Sequence, residues 1–132
     1  MWQSKTSFRI RYSETDQMGV VYHGNYPQFL EIGRVEWLRN FGVSYKVMED
    51  EGIILPVVSI AIDYKKSALY DDEITVTTNL KKLPTVKIMF DYEIHNQHGE
   101  LLVEARTTLA FLDKTTKRPQ RCPQYLLDKL GE

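Results

Sequence analysis

The sequence predicts an α+β chain in which one long helix lies on an antiparallel sheet. Three observations carry this. Residues 5–12 alternate with period two. After Tyr26 the apolar period lengthens to three and four residues. From about residue 53 the period-two pattern returns and persists almost to the end.

In the first strand, Phe8, Ile10 and Tyr12 share one face, with Ser7, Arg9 and Arg11 on the other. Residues 13–25 break the alternation and contain Gly19 and Gly24, which reads as a loop. Tyr26, Leu30, Gly33, Trp37 and Phe41 then form a helical stripe, widened by Phe29 and Leu38. Asn25 is the expected N-cap, Pro27 falls in the first turn and Gly42 ends the helix. Glu36 and Arg39 are spaced to pair on its outer face. A short helix over about 44–51 follows.

Strands are expected over 53–64, 73–83, 86–94 and 100–112. In the second of these Ile74, Val76, Thr78 and Leu80 oppose Thr75, Thr77, Asn79 and Lys81. Asn96–Gly99 is a hairpin turn with His95 before it and His98 within it, both expected to be exposed. Pro119 and Pro123 mark a loop, and residues 124–130 suit a terminal helix. A helix stripe this wide, Trp37 included, requires deep cover, which a sheet curling round it supplies.

The chain has 132 residues, enough for one domain spanning 1–132. Its 42% hydrophobic and 27% charged residues argue against disorder. Seventeen Lys and Arg against 18 Asp and Glu leave a net charge of −1, which disfavours a nucleic-acid partner. A single cysteine, Cys122, excludes a disulfide framework and a Cys-rich zinc site and points to a cytoplasmic protein. No His, Asp and Glu cluster has metal-ligand spacing, no apolar run approaches a membrane span, and Met1–Tyr12 has no secretory pattern. A domain this small buries only about two-thirds of its unfolded surface, so association with further copies would help it.

The chemistry-bearing segment is 13–26, with Asp16, Gly19, Tyr22, His23, Gly24 and Tyr26 just before the helix. A helix N-terminus offers free N–H groups and a positive dipole end that stabilise oxyanions. The loop therefore offers a carboxylate and an oxyanion hole together. The alternative is that Asp16 merely caps the loop and His23 is a surface residue; composition alone favours that alternative.

The string RIRYSETDQMGVVYHGNYPQFLE, Arg9 to Glu31, resembles the signature of the 4-hydroxybenzoyl-CoA thioesterase family, nearest to the YbgC-type acyl-CoA thioesterases associated with the Tol–Pal system. The matching parts are Arg9-Ile10, Thr15-Asp16, Gly19-Val20-Val21, Tyr22-His23 and Tyr26. The resemblance continues through Pro56-Val57-Val58, Tyr70-Asp71-Asp72 and the late strands. It implies a hot-dog fold: a long central helix wrapped by a five-stranded antiparallel sheet. It also implies homodimers or homotetramers with the active site between subunits, and an acyl-CoA substrate with no separate cofactor.

By that resemblance Asp16 is the catalytic carboxylate, either activating water or attacking the thioester carbonyl itself. The backbone N–H at His23 polarises the thioester oxygen, and the His23 side chain either orients water or the leaving thiolate or is purely positional. Gly19 allows a tight turn beside the acyl group. Tyr22 and Tyr26 either line the acyl or pantetheine pocket or belong to the core. Glu31 is expected to make a structural hydrogen bond. Phosphate contacts are sought at Lys65 and Lys66 and in the acid-free run Lys114, Lys117, Arg118 and Arg121. Where some members carry a basic cluster, only Lys87 is basic here; Ser59 is a further pocket candidate. Two other functions compete with hydrolysis: a hot-dog hydratase or dehydratase, against which the Asp16, Gly19 and His23 arrangement argues, and a catalytically silent dimeric module that binds acyl-CoA or a protein.

Overall fold

The computed structural model describes residues 1–131. Strand β1 (Trp2–Arg9) leads through an irregular loop to helix α1 (Tyr26–Asn40) and short helix α2 (Tyr45–Asp50). Then come β2 (Ile53–Ile54), β3 (Val57–Tyr64), β4 (Glu73–Leu80), β5 (Lys87–His95), β6 (Leu101–Ala110), β7 (Leu112–Asp113) and helix α3 (Gln124–Lys129). The main sheet has the order β1-β4-β5-β6-β3, and every neighbouring pair is antiparallel. With α1 packed on its inner face, this is the hot-dog arrangement.

The apolar stripe of α1 becomes its contact face: Tyr26, Phe29, Leu30, Gly33, Trp37 and Leu38 are all buried. Trp37 meets Phe90 edge-on at 5.1 Å between ring centroids, and its indole N–H donates to the Trp2 carbonyl at 3.1 Å. A buried indole thus keeps a partner for its single donor. Gly33 is where helix and sheet come closest. A Cβ there would lie 2.6 Å from Thr78 Oγ1 and 2.7 Å from Val76 Cγ1, both on β4. Glu36 and Arg39 pair on the outer face as their spacing predicts.

Four local expectations are corrected. Tyr12 does not continue the β1 face; it sits in a 3-10 turn, Tyr12–Glu14, and is 77% exposed against the Tyr70 ring. The turn forms because the Glu14 carboxylate accepts the Arg11 backbone N–H at 2.7 Å, and this diverts the chain from the strand. Asn25 does not cap α1 with its side chain. A 3-10 turn, His23–Asn25, already precedes the helix, and the Asn25 amide donates to the Glu14 carbonyl at 2.9 Å instead. The expected 53–64 strand is split by Pro56, which has no N–H for a ladder: β2 pairs with β7, and β3 joins the main sheet. β4 ends at Leu80, short of residue 83.

β3 lies at the sheet edge with one neighbour, β6. Ile60, Ile62 and Tyr64 pair in register with Thr107, Ala105 and Val103 and so share the inner face; Ser59, Ala61 and Asp63 point outward. Every residue of this apolar strand except Ile62 is exposed.

Gly33→Ala should destabilise the fold by about 1–3 kcal/mol, since overpacking outweighs the gain of about 1 kcal/mol in helix propensity. Thermal unfolding of the two proteins checks this; an unfolding midpoint that rises would contradict the close approach.

Candidate active site

The loop between β1 and α1 is held mainly by its own backbone. Thr15 and Val21 form an antiparallel bridge, and within it the Asp16 N–H donates to the Val20 carbonyl at 2.8 Å. Gly19 closes the turn with φ +79°, a conformation that favours glycine, and donates to the Asp16 carbonyl at 3.1 Å. Asp16 Oδ1 accepts the Met18 N–H at 2.8 Å, and the carboxylate is exposed. The hairpin is fastened to the chain before β4 by a Val20–Leu69 bridge and by Val21 donating to the Ala68 carbonyl.

Glu14 organises the base of this hairpin. It is only 8% exposed, and its carboxylate takes the Arg11 N–H and an ion pair with the Arg11 guanidinium at 3.3 Å. Its carbonyl accepts both the Tyr22 N–H at 3.0 Å and the Asn25 side-chain amide. Nothing in the apolar periodicity marks Glu14; the only signal is an acid three residues after Arg11, the spacing of a capping turn.

The 3-10 turn His23–Asn25 delivers the chain into α1. The N–H groups of His23 and Gly24 have no acceptor among the described residues. The His23 carbonyl accepts from the Tyr26 N–H and from the Tyr64 hydroxyl, the latter at 3.1 Å. The His23 ring packs at 4.6 Å against Tyr22, tilted by 48°, and meets Tyr64 edge-on at 6.4 Å. Tyr26 is buried to 2% exposure, and its hydroxyl accepts the Ala68 N–H at 3.2 Å; burial raises its pKa above the ordinary phenol range. Tyr26 therefore belongs to the core and also to a cavity wall.

That cavity, of about 210 Å³, is lined by Val21, His23, Tyr26, Tyr64, Lys65, Lys66 and Ser67. Four of the residues singled out from sequence thus meet in one place: His23, Tyr26, Lys65 and Lys66. Tyr64 was not among them, although period-two spacing from Ile60 and Ile62 puts it on the inner face. The backbone N–H groups of Lys65 and Lys66 both donate to the Leu102 carbonyl, and the Lys66 ammonium pairs with Glu100. The Lys65 side chain has no ion pair among the described residues.

The remaining residues lie elsewhere. Asp16 and Gly19 stand on the neighbouring hairpin, outside the cavity wall. Ser59 faces outward from β3 opposite Thr108, away from the helix loop it was expected to face. Lys87 pairs with Ala110, and the Arg118 carbonyl accepts from Asp113 just beyond. Both therefore mark the far end of β6, roughly 27 Å along the strand from Leu102 at 3.4 Å per residue. The Glu31 side chain makes no hydrogen bond among the described residues, contrary to expectation. It borders a second cavity, about 200 Å³, between α1 and the sheet, with Arg34, Val35, Leu38, Tyr45, Leu55, Phe90 and Leu109. Next to it Tyr92, deeply buried, bonds Thr107 at 2.5 Å; burial raises the Tyr92 pKa, and the Arg34 guanidinium partly opposes this. His98 is exposed as expected, whereas His95 is half-buried. Burial pushes the Cys122 thiol up to about 12, so it is protonated and non-nucleophilic at neutral pH.

Residues 10–130 match the family model described as the thioesterase-like superfamily. The chain is 39% identical over 119 residues to YneP of Bacillus subtilis (strain 168), whose name marks it a candidate acyl-CoA thioesterase; the match covers 90% of this chain and 86% of YneP. It is 29% identical over 119 residues to the acyl-CoA thioester hydrolase YbgC of Escherichia coli O6:H1, covering 90% of this chain and 89% of YbgC. Its structure superposes on a DHNA-CoA thioesterase from Staphylococcus aureus with TM-score 0.92 and 38% identity, covering 99% of this chain and 88% of the other.

Glu14→Ala removes the acceptor for the Arg11 N–H and should cost about 1–3 kcal/mol, the range for leaving a part-buried donor unpaired. Thermal unfolding measures the loss, and faster amide exchange confined to residues 11–25 would locate it.

Proposed function

The chain belongs to the thioesterase-like superfamily, and from that premise we propose that it hydrolyses an acyl-CoA thioester to a carboxylic acid and coenzyme A. One observation carries the reading: the unpaired N–H groups of His23 and Gly24, at the positive end of α1, stand beside the hairpin that holds Asp16. A thioester carbonyl that accepts from these donors becomes more electrophilic, and the negative charge that grows on its oxygen is stabilised where it forms.

Asp16 supplies the other half of the reaction. As a base it takes a proton from water, whose oxygen attacks the carbonyl carbon; the C–S bond then breaks and the thiolate leaves. As a nucleophile it forms a mixed anhydride with release of the thiolate, and water cleaves the anhydride to restore the carboxylate. The His23 imidazole, held between Tyr22 and Tyr64, is suited to orient the water or the leaving sulfur. Tyr22, Tyr26 and Lys65 would border the pantetheine and acyl groups. The DHNA-CoA thioesterase it superposes on makes an aromatic acyl group one candidate substrate.

A second copy completes this site. The exposed β3 edge carries Val57, Val58 and Ile60, and joining it antiparallel to its counterpart across a twofold axis covers them. That pairing sets the Val57 end of one copy beside the Tyr64 end of the other. Lys87 and Arg118, remote from His23 within one chain, then approach the partner's cavity and can meet the nucleotide phosphates. We assign the working state to such a homodimer, paired or not into a tetramer, in the cytoplasm. No helix among the described residues is long and apolar enough to cross a membrane.

One observation favours a silent acyl-CoA-binding module: the Asp16 carboxylate is engaged by its own turn through Met18. Thiol release from short aliphatic, long-chain and aromatic acyl-CoAs decides between the two. Wild-type turnover should fall more than about a hundredfold in Asp16→Asn, with ligand binding retained. Binding without turnover in the wild type means the module, and equal turnover in both proteins removes Asp16 from the chemistry. For the assembly, Ile60→Lys should sediment as a monomer and lose activity; a variant that remains dimeric would rule out the β3 interface.

A further inference from the structure

Resting on the thioesterase reading, we infer that Tyr64 is a positioning residue that aims the Gly24 N–H at the thioester oxygen. A peptide unit is planar, and its C=O and N–H point in opposite directions. The carbonyl of His23 and the N–H of Gly24 belong to one such unit. Tyr64 donates its hydroxyl to that carbonyl at 3.1 Å, and the Tyr26 N–H donates to the same oxygen. Fixing the carbonyl from two sides fixes the direction of the N–H on the opposite edge, and that N–H has no acceptor of its own.

The clamp is needed because this unit is weakly held otherwise. Its second residue is glycine, whose backbone is the least restricted of all. Gly24 is exposed, so packing does not hold it. A larger residue there would displace the Tyr22 ring, since a Cβ would come within 2.4 Å of it. Tyr64 itself is well anchored at its base. Its ring meets Tyr26 edge-on at 5.3 Å, and the Tyr26 hydroxyl is in turn tied to the Ala68 N–H. A donor on the carbonyl also polarises the whole peptide and strengthens the N–H as a hydrogen-bond donor. Because Tyr64 ends β3, the aim of the oxyanion donor depends on the strand at the open edge of the sheet.

Tyr64→Phe deletes only the hydroxyl. It should lower kcat about threefold to tenfold, the range one neutral hydrogen bond supports, with KM within about twofold of wild type. The unfolding midpoint should stay within about 2 °C, and the Gly24 amide should shift its nitrogen resonance and exchange its proton faster. Tyr64→Leu, which also removes the ring, should lose more of kcat. An unchanged kcat with an unchanged Gly24 amide overturns the inference. So does a loss of activity that comes with a drop of many degrees in the midpoint, because Tyr64 would then be a packing residue. The same experiments on Asp16→Asn separate the two readings. If hydrolysis is absent in the wild type or survives in Asp16→Asn, the catalytic reading fails, and the Gly24 amide in Tyr64→Phe alone then decides whether the clamp exists.

Discussion

There is no room for a Cβ between α1 and β4, and most of the site follows from that contact. With Gly33 seated against Val76 and Thr78, the helix sits closer to the sheet than a side chain would allow. Trp37 then fixes the helix along its axis, because its N–H has one acceptor, the Trp2 carbonyl on the first strand. A helix set in both depth and axial position has its first turn set too. Tyr26 reaches the Ala68 N–H from that position, which fixes the C-terminal end of the 3-10 turn before it and leaves the His23–Gly24 peptide to the contact with Tyr64. The chemistry proposed for His23 and Gly24 thus inherits its precision from a glycine more than two helical turns away.

The loop ahead of the helix solves a different problem. A site that must receive a polar ligand cannot be held by burial, and Asp16, His23 and Gly24 are all exposed. Their positions are set by backbone bonds instead: the Thr15–Val21 bridge, the Gly19 turn and the two donors on the Glu14 carbonyl. Such bonds leave side chains free while fixing the peptide units that carry them. The one buried charge in this region, Glu14, is offset by the Arg11 N–H and guanidinium, so the scaffold holds a partnered acid and Asp16, the acid proposed to react, stays at the surface.

What the sequence made legible divides along physical lines. α1 and β5 were readable because each buries one face, and burial of one face imprints a period; β4 was readable from its alternating apolar residues although Val76–Leu80 are buried on both faces. The loop was readable as a site because its residue types are chemical and adjacent. Tyr12, Asn25 and Pro56 were misplaced where a side chain or a missing N–H overrides periodicity: Glu14 captures the turn at Arg11, Asn25 bonds Glu14 rather than the helix end, and Pro56 interrupts a ladder. His23, Tyr26, Lys65 and Lys66 come together, whereas Ser59 turns outward and Lys87 and Arg118 stand at the other end of β6. Strand register decides this, and register is a long-range property that no local pattern states. Tyr64 was overlooked for the same reason, since its value lies in a contact across 41 positions of sequence.

β3 joins the open edge of the sheet to the candidate site. Its composition, Val57-Val58-Ser59-Ile60-Ala61-Ile62, is that of a strand buried on both faces. In one chain it is an exposed edge. A strand with interior composition at an open edge would drive uncontrolled pairing unless one specific partner covers it. The same strand ends in Tyr64 and runs directly into Lys65 and Lys66. In the proposed dimer, covering β3 and completing the cavity are therefore a single event, because the exposed edge runs directly into the cavity wall at Tyr64, Lys65 and Lys66. On that proposal an isolated chain holds the donors of His23 and Gly24 ready, and the partner supplies the remaining walls around them.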